Sequence, residues 1–164
     1  MITRPATIDD AAQMTALLNE IIMIGGTTAY QTPLDEDQVR QKFIAADDLI
    51  CCHVAEIDSV VMGFQWLRWA NQEADGLPKG WAIIASFVAG QAAGKGVGKH
   101  LFAATVPVAQ RAGVRTIDAT IRADNTSGLR YYGGLGFVDY DVLPDVVLTD
   151  ELVVDKRRKR FDIG

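Results

Sequence analysis

The chain has 164 residues, 49% of them hydrophobic and 23% charged, with a formal net charge of −5. This is the size and composition of one globular domain spanning 1–164, without repeats or low-complexity tracts, and its acidic balance argues against nucleic acid as a partner. No apolar run reaches the ~18 residues of a membrane span, and the acidic pair Asp9-Asp10 stands where a signal peptide would need positive charge, so a cytoplasmic protein without a membrane partner is expected.

Thr7 followed three residues later by Asp10 reads as a capping box, and Ala11, Met14, Leu17, Leu18, Ile21 and Ile22 recur behind it at helical spacing. Gly25-Gly26 ends that helix. Thr27 to Leu34 reads as a loop, after which Asp35 with Gln38 caps a second helix through Val39 and Phe43. Leu49–Ile57 and Val60–Trp69 are β-rich runs joined at Asp58-Ser59, a hairpin. Cys51 and Cys52 are adjacent and cannot easily bridge each other, and no Cys/His spacing suits zinc, so two reduced thiols and no metal are expected.

The polar stretch 71–80 is predicted to be loop, and Trp81–Val88 a mainly apolar strand. Val97, Leu101, Ala104, Thr105 and Val108 share one helical face. Pro107 is expected to bend that helix or end its regular pairing, and Gly113 to stop it. Thr116–Ile121 reads as a strand, Val138–Val142 as another, then a loop around Pro144 and a last strand from Leu152 to Phe161. The basic run Lys156–Arg160 inside that last segment reads as a solvated edge strand rather than an RNA patch.

The chemistry begins at Gly94-Lys95-Gly96-Val97-Gly98-Lys99, between the apolar strand and the long helix. Alternating glycines let the main chain turn tightly with its N–H groups uncovered, and the following helix adds the positive end of its dipole, so the run is either a phosphate cradle or an ordinary strand-to-helix turn. A nucleotide P-loop is excluded, because Ala93 stands where its first glycine belongs and His100 where Ser or Thr belongs. The Rossmann fingerprint fails at Leu101 or Lys99, depending on register.

A second segment, Asn125-Thr126-Ser127-Gly128-Leu129-Arg130-Tyr131-Tyr132-Gly133-Gly134-Leu135-Gly136-Phe137, follows one helix and one strand later. Together the two resemble the GNAT acyltransferase superfamily, whose acyl-CoA loop reads Arg/Gln-x-x-Gly-x-Gly/Ala and whose later signature places Asn before a short helix ending in Tyr-x-x-x-Gly-Phe. Gly96-Val97-Gly98 fills the loop motif, with Ala93 in place of the usual Arg or Gln, a departure expected to weaken binding at most. Tyr132 and Gly136-Phe137 fill the second motif. The opening Ile2-Thr3-Arg4-Pro5-Ala6-Thr7 is similar to the family's first strand and helix start, so the resemblance spans nearly the whole chain.

The resemblance implies an α/β (α+β) fold: a mixed, mostly antiparallel sheet flanked by helices, with the fourth and fifth strands splayed. It further implies acetyl-CoA as co-substrate, its phosphates on Ala93, Gly94, Lys95, Gly96, Val97, Gly98 and Lys99, and its pantetheine arm on the main chain of Phe87 and Val88. Asn125 caps its helix, binds the co-substrate, or does both. Tyr132 is either the general acid toward the departing sulfur or a core filler. No carboxylate lies on Ala82-Ile83-Ile84-Ala85-Ser86, so the base is sought elsewhere: Glu20 first, with Glu73, Asp75 and His53 as rivals and Ser86 as a water-positioning group. Direct transfer fits, since neither cysteine has an evident His partner.

The stretch Thr27-Thr28-Ala29-Tyr30-Gln31-Thr32-Pro33-Leu34 looks like the acceptor loop of phosphinothricin and amino-acid N-acetyltransferases, with Tyr30 and Trp66 as pocket walls or core residues. The expected activity is acetyl transfer to the primary amine of a small, amino-acid-like molecule, with a homodimer as the expected assembly. A non-catalytic acyl-CoA-binding module and a protein N-acetyltransferase are the alternatives.

Overall fold

The computed structural model covers residues 1–164. Seven strands, β1 (Ile2–Pro5), β2 (Leu49–Ile57), β3 (Val60–Trp69), β4 (Trp81–Val88), β5 (Thr116–Arg122), β6 (Val138–Thr149) and β7 (Leu152–Asp162), form one sheet in the order β1-β2-β3-β4-β5-β7-β6. Every pair is antiparallel except β4 with β5. Helices α1 (Ala11–Ile24) and α2 (Glu36–Val39, continued as a wider turn to Ile44) cover one face. There Met14, Leu17, Leu18, Val39 and Phe43 pack on Val54, Phe64, Trp66 and Phe87. Helices α4 (Val97–Ala112) and α5 (Thr126–Gly134) cover the other, where Phe102, Ala109, Tyr132 and Phe137 meet Leu67, Ile84, Ile117, Ala119 and Ile121.

Local chemistry places the boundaries. Asp58 and Ser59 both take positive φ, the mirror-image turn whose twist suits a two-residue hairpin. Asp35 Oδ1 accepts from the Gln38 N–H at 2.8 Å while Gln38 Oε1 accepts from Asp35 N–H at 2.9 Å. Asp10 accepts from the Thr7 N–H at 2.7 Å and takes two bonds at 2.8 Å from the Arg4 guanidinium, which also reaches Glu56. Those bonds hold the Asp10 carboxyl below its ordinary value. A depressed folded-state pKa contributes stability that is complete above the unfolded value and lost as pH falls through the folded one. Asp10→Ala should therefore cost about 2 kcal/mol at neutral pH, discounted for a one-third-exposed Arg4. Urea melts should show that gap narrowing below about pH 4.

Five expectations need correction. The polar stretch 71–80 contains a helical turn, α3 (Gln72–Asp75), because Asn71 Oδ1 accepts from the N–H groups of Glu73 and Ala74 at 2.9 Å each. Pro107 does not interrupt α4, which runs on to Ala112; the carbonyl it deprives belongs to exposed Ala103, where water can replace the bond. The buried face of α4 also runs through Phe102 and Ala109 rather than Ala104 and Val108. Pro144 interrupts nothing either: β6 is continuous, with a register shift between Leu143 and Val146 and Asp145 at positive φ, as an edge strand with a bulge permits. The basic run lies on β7, which is interior, between β5 and β6. Its alternation sends Arg158 toward Asp118 and Thr120 and stacks Arg160 over Trp81, while Lys159 turns the other way to Asp139.

Candidate active site

β4 pairs with β3 along its whole length, from Ala82 opposite Trp69 to Val88 opposite Gly63. On its other side it pairs with β5 only at Trp81, Ala82 and Ile83. The two parallel strands splay beyond that point. The β5-facing main chain of β4 from Ile84 to Val88, which includes Phe87 and Val88, has no strand partner. Such an edge accepts an extended group by main-chain hydrogen bonding. The Phe87 side chain points away, into the aromatic cluster with Phe64 and Phe43.

At the open end of the splay the chain turns into α4. Gly94 and Gly96 have φ of 77° and 78°, and Gly96 is the helix cap. Lys95 N–H bonds Ala92 O and His100 N–H bonds Gly96 O, but the amides of Gly94, Gly96, Val97, Gly98 and Lys99 bond to nothing in the chain. Five free N–H groups at the N-terminus of a 16-residue helix make an anion cradle. This fits a pyrophosphate, and none of the five N–H groups depends on the side chain at position 93. Lys95 and Lys99 are exposed beside it. Gly98 has a different reason to be glycine: a Cβ there would lie 2.5 Å from the Tyr131 ring.

α5 bridges the gap. The Tyr132 hydroxyl lies 2.9 Å from Ser86 Oγ on the unpaired part of β4. Burial, reinforced by neighbouring Tyr131, pushes its phenol well above the ordinary range, so it stays protonated through neutral pH. Tyr131 donates to the Gly98 carbonyl at 2.7 Å, and Gln65 on β3, wholly buried, reaches both Ser86 Oγ (2.8 Å) and Tyr131 Oη (3.1 Å) through Nε2. Asn125 is the helix cap, accepting from Gly128 N–H at 2.9 Å, and also a tether, donating to Thr27 O at 3.1 Å. Arg122 ties the same loop by donating to Thr28 O at 3.0 Å.

On the opposite face of the sheet, at the apex of the splay, is a polar cavity of about 600 Å³ lined by Arg68, Glu73, Asp75, Asp118, Lys156 and Arg158. Arg68 grips Asp75 with two bonds at 2.9 Å and holds its carboxyl below the ordinary range. Asp118 accepts from Tyr140 and Thr120 and lies 3.7 Å from Arg158, with burial raising its pKa. The side chains of Glu73 and Lys156 form no ion pair or hydrogen bond, and burial, then Arg122 and Arg158, lower the Lys156 pKa.

The other sequence-derived candidates lie elsewhere. Glu20 is exposed on the outer side of α1, in a groove with Met23 and Ile24 rather than in this cavity. Trp66 sits in the core, edge-on to Phe43, with its indole N–H on the Lys42 carbonyl. Tyr30 is half-buried under the Lys42 ammonium. His53 is buried on the α4 face, with Nδ1 unpartnered and its pKa lowered by burial. Burial pushes Cys51 up to about 11 and Cys52 further, which leaves both thiols inert as nucleophiles near neutral pH.

Gln65, Arg68 and Asp118 are members of the site that the sequence reading missed. Gln65 had a signal, one amide inside the apolar run Phe64-Gln65-Trp66-Leu67, where an unpaired polar group would be costly. Asp118 had one too: Thr116, Asp118, Thr120 and Arg122 alternate with Ile117, Ala119 and Ile121, so one face of β5 is polar.

The chain is similar to several known acetyltransferases. A mycothiol acetyltransferase of Renibacterium salmoninarum is 35% identical over 101 residues, covering 62% of this chain and 29% of that protein, so the chain spans under a third of this curated relative's length. Among solved structures, a GNAT superfamily phosphinothricin acetyltransferase from Sinorhizobium meliloti in complex with AcCoA superposes with TM-score 0.85 at 22% identity, over 99% of this chain and 88% of that one. A ribosomal-protein-alanine N-acetyltransferase from Brucella melitensis superposes with TM-score 0.84 at 21% identity, over 99% of both chains. The profile of the Acetyltransferase (GNAT) family matches residues 15–137, most of the chain and both signature segments, and the protein belongs to that family.

Proposed function

We propose that this protein is an acetyl-CoA-dependent N-acetyltransferase, acting in the cytoplasm on the primary amine of a small molecule that also carries a carboxylate. The observation that carries the first half is the juxtaposition of five unbonded amides, an unpaired β4 edge and the Tyr132 phenol along one gap. The co-substrate supplies an acyl carbon activated by a thioester. Direct transfer then needs two proton movements, since the C–N bond forms as the C–S bond breaks. Tyr132 gives a proton to the departing sulfur. The amine must lose one, and Glu73, the cavity's carboxylate without a cationic partner, takes it directly or through water in place of Glu20.

The acceptor class follows from the charges left over in the cavity. Arg68 pairs with Asp75 and Arg158 lies against Asp118, so the lining cancels except for Lys156 and Glu73. One free cation and one free carboxylate complement an amino-acid-like molecule. Lys156→Met should raise KM about tenfold for an amino-acid acceptor and leave the corresponding decarboxylated amine nearly unaffected. Screening both acceptor types by thiol release from acetyl-CoA makes the test. Equal effects on the two would remove Lys156 from the acceptor site, and no release with any amine would leave a binding module instead of an enzyme.

A further inference from the structure

The hydroxyl of Tyr131 carries one proton, and the Gly98 carbonyl at 2.7 Å is an acceptor only, so that proton is committed to it. Gln65, 3.1 Å from the same oxygen, must then present its amide nitrogen there. Turned over, the amide would set two oxygens together with no proton between them. With Nε2 so placed, its second proton goes to Ser86 Oγ at 2.8 Å. Ser86 therefore accepts from Gln65 and has its own proton for the nearest acceptor, Tyr132 Oη at 2.9 Å. The Tyr132 proton is left over.

We propose that Gln65 and Ser86 are positioning residues that turn the phenolic proton of Tyr132 away from the sheet and toward the gap between β4 and β5. The proposal rests on Tyr132 being the acid. It gives the first turn of α4 two tasks: its amides form the anion cradle, and its Gly98 carbonyl sets the direction of every proton in the chain Tyr131, Gln65, Ser86, Tyr132. Gln65 is fully buried and its Oε1 has no partner, and the chain's one other unpartnered buried side-chain atom, Nδ1 of His53, belongs to its cross-strand neighbour on β2. A leucine at position 65 would avoid the orphaned oxygen but would break the bonds to Ser86 and Tyr131, and a buried orphan of this kind calls for an explanation.

The test uses the unliganded protein as well as turnover. With tyrosine ¹³C-labelled at Cζ, the Tyr132 resonance, assigned by its loss in Tyr132→Phe, reports whether that phenol accepts or donates a hydrogen bond. Gln65→Glu keeps the shape but removes both donors, so Ser86 turns its proton to the new carboxylate and Tyr132 must donate to Ser86. The expected result is a shifted Tyr132 resonance and a fall in kcat of about tenfold or more, with KM for acetyl-CoA changed less than about twofold. Ser86→Ala should lose kcat in the same way and Ser86→Thr, which keeps the hydroxyl, should restore it; both remain informative if Gln65→Glu fails to fold. An unmoved resonance in either Gln65→Glu or Ser86→Ala, or a loss carried by KM, overturns the proposal. Full turnover in Tyr132→Phe would instead refute the acid itself, while the resonance in the free protein would still report the network's direction.

Discussion

Tyr132→Phe is expected to lower kcat by roughly 10²-fold while acetyl-CoA affinity stays within about twofold. The ring packs between Tyr131 and Phe137 at centroid distances of 4.7 and 5.1 Å, contacts that phenylalanine keeps, so the variant removes one hydroxyl and little else. The paired control is Tyr131→Phe. Its hydroxyl touches the Gly98 carbonyl and Gln65 rather than the gap, so its loss frees the Gln65 amide to turn and should cost less turnover than loss of the Tyr132 hydroxyl. Steady-state kinetics with a responsive amine, beside calorimetric titration of acetyl-CoA, separates the two. Equal losses of kcat, or a larger one in Tyr131→Phe, would move the acid away from Tyr132.

Gly96→Val is expected to weaken acetyl-CoA binding at least about 100-fold, or about 2.7 kcal/mol, in a protein that still folds. Two effects combine. At φ of 78° a branched side chain is strained by about 1–3 kcal/mol, and relief of that strain rotates the peptide units whose amides form the cradle. Gly98→Val is a different experiment, because its side chain would strike the Tyr131 ring and disturb the acid's support as well as the cradle. Gly94→Ala meets open space and should cost only the backbone penalty, about 1 kcal/mol. Calorimetry with acetyl-CoA and with CoA, beside circular dichroism, reads all three. Unchanged affinity in a folded Gly96→Val protein would reduce the loop to a turn.

The sequence by itself determined what a few neighbouring residues can encode. The capping boxes at Thr7 and Asp35, the Asp58-Ser59 turn, the glycine loop and the helix that Asn125 caps each depend on contacts within about one turn of chain, and each appears where its residues place it. The tertiary structure decided what depends on which strands become neighbours. Lys156–Arg160 reads as an edge in isolation, yet β7 slots between β5 and β6 and turns that run into a cavity wall and a partner for Asp118. Glu20 comes first as a base in the sequence and Glu73 only as a rival, yet both are exposed, Glu20 in a groove on the outer side of α1 and Glu73 on the wall of the polar cavity. Gln65, Ser86 and Tyr132 lie far apart in sequence, and only the register of β3 on β4, with α5 across the splay, makes them one hydrogen-bonded unit. Local propensity acts over a few residues and can be read from them, whereas strand order and register are set by the burial of the whole sheet, which no single segment contains.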